Sequence, residues 1–170
     1  PDAHFAGIGG DAMRAAGLDA WFDASELAVM GLAEVLAHLP RLLRLRKAFL
    51  HDAALFAVNP VDHDFSFDLK AKVIIDPAAM PAALARIARV LAESTGASLP
   101  SEVATLAAGK PSEAEQAIAA GLKGANIASV LVGNFAMAHP QAALLRSLAD
   151  LIAELSGARL GILPDANGAG

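Results

Sequence analysis

Hydrophobic and polar positions follow two periodicities along this chain, and the two alternate. Short apolar runs bounded by glycine, proline or polar residues are typical of buried strands. Longer stretches with apolar residues every three or four positions are typical of helices that pack on one face. This alternation predicts an α/β fold, a Rossmann-like or flavodoxin-like three-layer architecture with a mostly parallel sheet of about five strands. The predicted strands span 4–9, 18–22, 54–59, 70–76, 128–134 and 158–164.

Capping residues, prolines and glycines set the ends of the predicted helices. Asp23 or Ser25 is expected to cap a helix through His38, and a second helix restarts with Pro40 at its first position, where proline is tolerated. Further along, a serine followed three residues later by a glutamate predicts a capping box, and a glycine predicts the end of the last helix. The predicted helices span 11–17, 23–38, 40–51, 77–95, 112–122 and 141–157, with one helical turn at 101–107.

Length and composition predict one ordered domain over residues 1–170. The chain has 170 residues, of which 55% are hydrophobic and 18% charged, and this is too apolar for a disordered chain. A net charge of −5 disfavours nucleic acid and anionic lipid as partners, because both need a positive surface. Cysteine is absent, which excludes disulfides and Fe–S ligation within these residues. No uninterrupted apolar stretch reaches spanning length, so we expect a cytoplasmic location without direct membrane insertion.

Candidate ligand contacts follow the predicted strands, because ligands bind beyond the carboxyl ends of parallel strands. Gly7, Gly9 and Gly10 could let backbone amides approach a phosphate, although a tight strand-to-helix turn is the preferred interpretation. Asn59 and Asn134 stand at the ends of the predicted strands 54–59 and 128–134. The Asn134 amide could meet a nucleotide or pterin edge there, and Asn59 is a candidate at the equivalent end of its own strand. Their preferred alternatives are a turn and a helix entry. These five residues are the candidate cofactor-binding positions, while no catalytic residue and no resident cofactor are expected.

An acidic stretch after the strand at 54–59 raises the alternative of a metal site. Asp62, His63, Asp64 and Asp68 supply four oxygen or nitrogen ligands within seven residues. Alternation along an extended chain would point His63 away from its neighbours, and no second ligand cluster has a recognisable spacing. We therefore prefer aspartates that cap backbone amides in a turn, and expect no metal.

Residues 5–46 read FAGIGGDAMRAAGLDAWFDASELAVMGLAEVLAHLPRLLRLR and resemble the N-terminal half of lipid-A-disaccharide synthase, a membrane-associated glycosyltransferase. The phrases SELAVMGLAEVL and LPRLLRLR carry the resemblance. It implies one βα unit and a helix pair of an α/β domain. The opening strand of that family and its nucleotide-sugar domain lie outside the resemblance, so the transfer reaction is not implied.

From about Leu45 onward the chain resembles the molybdopterin-oxidoreductase-like region of the G subunit of bacterial NADH-quinone oxidoreductase, respiratory complex I. The phrases are RLRKAFLHDAALFAVNPVDHDFSFDLKAKVIIDPAAMPAAL and SVLVGNFAMAHPQAALLRSLADLIAELSGARLGILPDANGAG. The resemblance implies a structural domain of an electron-transport assembly, without its Fe–S ligands. It also implies contacts with other complex I subunits, through which the chain would reach the cytoplasmic face of the inner membrane.

The two resemblances meet at a seam near residues 44–49, and three interpretations follow. The preferred one is a non-catalytic structural α/β domain similar to part of the G subunit of complex I. The second is an engineered chimera of the two parents without native activity. The third is a nucleotide- or phosphate-binding module related to the N-terminal half of the glycosyltransferase.

Overall fold

One parallel sheet organises the part of the chain that the computed structural model describes, which is residues 26–30, 48–63 and 67–162. Every pair of neighbouring strands is parallel, and the order is β3-β2-β1-β4-β5. This is the Rossmann-like order, in which strands are added first to one side of β1 and then to the other. The predicted α/β class with a parallel sheet is confirmed. The described strands are β1 (Glu26–Met30), β2 (Ala54–Asn59), β3 (Ala71–Ile74), β4 (Ala128–Val132) and β5 (Arg159–Ile162).

The described helices form a layer on one face of this sheet. The three long ones pack against one another, α3 lies against β1 and β3, and α5 lies against β4 and β5. Alternate strand residues, such as Phe56, Val58, Val130 and Val132, join these helices in one buried cluster. The helices are α1 (Met80–Thr95, after a 3-10 turn at Pro77–Ala79), α2 (Ser101–Leu106), α3 (Glu113–Gly124), α4 (Asn134–Met137) and α5 (Ala142–Ser156).

The other face of the central strands is also shielded from water. Leu55, Ala57, Ser129 and Leu131 are at most 2% exposed, although alternation along β2 and β4 directs them away from the helix layer. Strands buried on both faces read as continuous apolar runs, as in most parallel sheets. This is why 54–59 is recognisable as a strand from sequence.

Two predictions about the bounds of strands in the sheet are wrong. Residues 26–30 form β1, although they lie inside the predicted helix 23–38. The run ELAVM has no periodicity that separates a buried strand from a helix, and pairing with β2 on one side and β4 on the other decides in favour of the strand. The predicted strand 128–134 ends at Val132, because Asn134 already begins α4.

Other boundaries agree with the sequence. The capping box at the start of α3 is present in both directions, with the Ser112 hydroxyl accepting from the backbone of Glu115 and the Glu115 carboxylate accepting from the backbone of Ser112. Gly96 and Gly157 end α1 and α5 with φ of 72°, a left-handed conformation that costs a residue with a Cβ atom about 1–2 kcal/mol.

Several predictions lie outside the described residues, including the strands at 4–9 and 18–22, the helix 11–17 and most of 40–51. The extent of the domain over residues 1–170 stays a prediction. Among the helices that the structure describes, none combines the length and apolar character that crossing a bilayer requires.

Candidate binding site at the carboxyl edge of the sheet

Two of the predicted site residues lie on the same edge of the sheet, on either side of β1. Met30 at the end of β1 pairs with Val58 on β2 and with Val132 on β4. Asn59 and Gly133 therefore stand one residue beyond a common row, and Asn134 follows directly. With strands about 4.8 Å apart, β2 and β4 are about 10 Å from each other across β1. The chain extends the sheet in opposite directions from this point, and such a switch point is where open α/β sheets form their ligand crevice.

Asn59 is the unusual residue of this edge. Only 1% of it is exposed, and its backbone oxygen accepts a hydrogen bond from the Ile75 amide at 3.1 Å. Its side-chain Oδ1 and Nδ2 are both buried, and neither has a hydrogen-bond partner in the part of the chain that the structure describes. A buried polar group left in this state costs about 1–3 kcal/mol, and most such groups in native proteins are paired. Because Val58 faces the helix layer, Asn59 points to the opposite face. The contacts among the described residues therefore give no structural role to this amide.

Asn134 stands on the other side of β1 as the first residue of α4. It is half-buried, and its backbone oxygen accepts from the Ala138 amide at 2.8 Å. Gly133 before it is extended, with φ of −89° and ψ of 174°. A helix of four residues has too small a dipole to attract an anion, so the predicted ligand contact of Asn134 would come from its side chain and stays a prediction. Gly7, Gly9 and Gly10 lie outside the described residues, and their proposed phosphate contact stays a prediction.

The charges of this edge are mostly negative or already paired. Asp62 accepts two hydrogen bonds from the Lys72 ammonium, at 2.6 and 2.7 Å, in a pair whose side chains are 53% and 47% exposed. Asp76 accepts from the Ala78 amide at 2.8 Å and so caps the turn that leads into α1. In the described loops after β2 and β3, carboxylates therefore outnumber cations and the lysine is engaged.

Only some of the four possible metal ligands in the acidic stretch 62–68 lie among the described residues. Asp62 is engaged with Lys72, Asp68 is exposed, and Asp64 lies outside the described residues. In residues 26–30, 48–63 and 67–162 no three histidine, aspartate or glutamate residues are grouped so that they could hold a metal ion.

His139 has a structural role in the connection from β4 to α5. Its Nδ1 accepts a hydrogen bond from the Gln141 amide at 2.9 Å, so the ring proton of the neutral form is on Nε2, 3.1 Å from the Pro77 oxygen, to which it donates. The ring thus ties this connection to the turn after β3. The sequence predicts Pro140 as the first residue of the following helix, and this is wrong: α5 begins at Ala142 with Gln141 as N-cap, because the His139 contact forms a turn first.

An ion pair that sequence reasoning missed joins α1 to α3. The Arg86 guanidinium donates to both carboxylate oxygens of Glu115, with Nη2 at 2.7 Å and Nε at 3.0 and 3.2 Å. Burial by itself would raise the pKa of Glu115, but hydrogen bonds from Arg86 and Ser112 outweigh it and the pKa is lowered. The same bond raises the pKa of Arg86. The pair holds the helix layer together on the face away from Asn59.

The comparisons with known proteins concern the first third of the chain. Residues 1–63 match the family model of lipid-A-disaccharide synthetase. The chain is 80% identical over 49 residues to the lipid-A-disaccharide synthase of Xanthomonas campestris pv. campestris (strain 8004), which is 29% of this chain and 11% of that protein. It is 67% identical over 49 residues to the enzyme of Xylella fastidiosa (strain M12), 29% of this chain and 13% of that protein. The chain thus spans only a small part of the length of these relatives.

The resemblance to complex I is not supported, and the interpretation as an electron-transport protein is wrong. Residues 45–63, which that resemblance included, lie inside the segment that matches the synthetase family, so the match extends past the predicted seam at 44–49. The phrase NPVDHD belongs to the stretch that suggested complex I, but all except its last residue fall within the same match. The expected contacts with other complex I subunits rested on that resemblance alone.

Proposed function

We propose that this chain is a ligand-binding α/β module, related to the N-terminal part of lipid-A-disaccharide synthase, that binds a nucleotide or a related phosphate-bearing small molecule beyond the carboxyl ends of β2, β1 and β4. The observation that carries the proposal is the amide of Asn59, which is buried at the carboxyl end of β2, one strand away from the switch point between β1 and β4, and has no hydrogen-bond partner among the described residues. Asn59 also lies within the segment that matches the synthetase family.

The proposal is limited to binding. The matched relatives are named for making a lipid A disaccharide, but this chain spans 11–13% of their length. Nothing in the described residues combines a nucleophile with a base in a common site. A module that contributes one wall of a ligand crevice is therefore the function that the geometry favours over complete group transfer.

The unpartnered amide makes the proposal testable through stability as well as binding. Asn59→Leu replaces the amide by an apolar group of similar shape and removes the buried unsatisfied atoms. Such a replacement is nearly neutral or stabilising when the polar group has no structural partner. We expect Asn59→Leu to unfold at the same or a higher urea concentration than the wild type while losing ligand-dependent stabilisation.

Binding is measured by thermal unfolding with ADP, GDP, CDP and UDP, each at 10 mM. A diphosphate present at about 100 times its Kd stabilises by about 2.7 kcal/mol, which raises the Tm of a domain of this size by about 5–10 °C. Asn126→Asp is the matched control, because this exposed asparagine stands before β4 at the opposite edge of the sheet. The proposal fails if no diphosphate stabilises the wild type, or if Asn59→Leu lowers the free energy of unfolding by more than about 1 kcal/mol, which would assign the amide to the fold.

A further inference from the structure

The chemistry of Asn59 indicates which part of a ligand it contacts. A side-chain amide presents one acceptor, Oδ1, beside two donor hydrogens on Nδ2. Both atoms are buried, and no described residue forms a hydrogen bond with either of them. A ligand group that carries a donor next to an acceptor satisfies both at once, as asparagine does with the edge of adenine. A phosphate at neutral pH offers acceptors almost alone and would leave Oδ1 buried without a donor.

The charges at this edge of the sheet also favour a neutral ligand group over a phosphate. The described loops after β2 and β3 contribute the carboxylates of Asp62 and Asp76, and Lys72 is held by Asp62 at 2.6 Å. The short helix α4 adds no appreciable positive dipole. An anion next to Asn59 would meet these carboxylates without a free counter-charge from the same loops.

Most of the described residues on the same face of the sheet as the amide are apolar, with Ser129 on β4 as a polar exception. Leu55 and Ala57 precede Asn59 on the same face of β2, and Leu131 lies on that face of β4. Low polarity strengthens a satisfied hydrogen bond and makes an unsatisfied one costly. A flat neutral group with a polar edge suits such a position better than a hydrated ion.

Building on the proposed function, we infer that Asn59 recognises a neutral donor–acceptor edge of the ligand, either a nucleobase edge or a carboxamide, and that any phosphate binds elsewhere. The two sources share the same hydrogen-bond chemistry and are separated by the choice of probes.

The test combines calorimetry with nitrogen-15 NMR of the side-chain amides. The probes are adenosine and uridine for a base, N-acetylglucosamine for a carboxamide, and inorganic pyrophosphate for the anion. The Asn59 amide signals are assigned by their loss in Asn59→Leu. We expect at least one neutral probe to bind and shift these signals, while pyrophosphate leaves them in place. Asn59→Asp, which lacks the donors, should weaken that neutral probe about tenfold or more, and Asn126→Asp should leave its Kd unchanged.

Each alternative outcome separates the inference from the proposed function. If pyrophosphate binds and shifts the Asn59 signals while neutral probes do not, the inference is overturned and a phosphate site is retained. Equal weakening by Asn59→Asp and Asn126→Asp also overturns it. Should Asn59→Asp fail to fold, Asn59→Leu replaces it, with loss of neutral-probe binding expected. If no probe binds the wild type, the proposed function fails and the inference with it.

Discussion

Replacing Glu115 by alanine is expected to lower the free energy of unfolding by about 3 kcal/mol. The Glu115 side chain is 2% exposed, and its carboxylate accepts three hydrogen bonds from Arg86 and one from the backbone of Ser112 at 2.7 Å. Removing one partner of a buried ion pair costs about 3–5 kcal/mol, because the remaining charge stays desolvated. The Arg86 side chain is 17% exposed and can turn partly to water, so we expect a loss near the lower end of that range of free energy. Glu115→Ala also removes the hydrogen bond from the Ser112 amide, but because both interactions use the same carboxylate, the two costs are not added.

Two variants separate the ion pair from its neighbours. Glu115→Gln keeps an acceptor for the Ser112 amide but removes the charge, and we expect a loss of about 1–2 kcal/mol. Glu113→Gln neutralises an exposed carboxylate in the first turn of the same helix and should change stability by at most about 0.5 kcal/mol. Urea unfolding at pH 7, followed by far-UV circular dichroism, measures all three.

With a slope of about 2 kcal/mol per molar urea, the alanine variant should shift the midpoint by about 1.5 M. A midpoint for Glu115→Ala that matches Glu113→Gln would refute the reasoning, because it would mean that the buried pair contributes no net stability.

Three further predictions concern pH, glycine and cooperativity. Folding lowers the pKa of Glu115, so the stability that its carboxylate contributes is complete above the unfolded-state pKa and is lost as pH falls through the lower folded value. The difference in free energy of unfolding between the wild type and Glu115→Gln should therefore shrink below about pH 4.5. A difference that stays constant with pH would contradict this. Gly157→Ala should lower the free energy of unfolding, measured in urea, by about 1 kcal/mol, because Gly157 has a φ of 72°. Gly124→Ala, at the end of α3, places its new methyl group with no atom within 4 Å and should leave this free energy unchanged or raise it by up to about 1 kcal/mol. Equal effects of the two substitutions would exclude backbone strain as the cause. If residues 1–170 are one domain, the fluorescence of Trp21, which lies outside the described residues, and the circular dichroism should show coincident urea transitions; an earlier fluorescence transition would separate the first segment from the rest.

The two family resemblances show where sequence patterns mislead. Strand-turn-helix phrases in order suggest a resemblance to complex I, yet such phrases recur wherever a parallel sheet alternates with helices. The phrases at the start of the chain, SELAVMGLAEVL and LPRLLRLR, are more specific, and the match of residues 1–63 to the synthetase family supports them.

The sequence by itself determined the features whose causes lie within a few residues. The bounds of β2, the capping box at Ser112, and the left-handed glycines that end α1 and α5 follow from local sterics and local hydrogen bonds. A strand buried on both faces with a proline directly after it also leaves a clear local signal.

Only the tertiary structure decided the features that depend on distant segments. ELAVM became a strand because two partner strands, from residues 54–59 and 128–132, provide hydrogen bonds on both of its edges. The Arg86–Glu115 pair joins residues 29 positions apart. Asn59 and Asn134 were both candidates, but their position on either side of β1 follows from strand order. The burial of the Asn59 amide, which has no hydrogen-bond partner among the described residues, is likewise visible only in the folded chain. Local preferences do not encode strand order, because it is set by burial and pairing over the whole sheet.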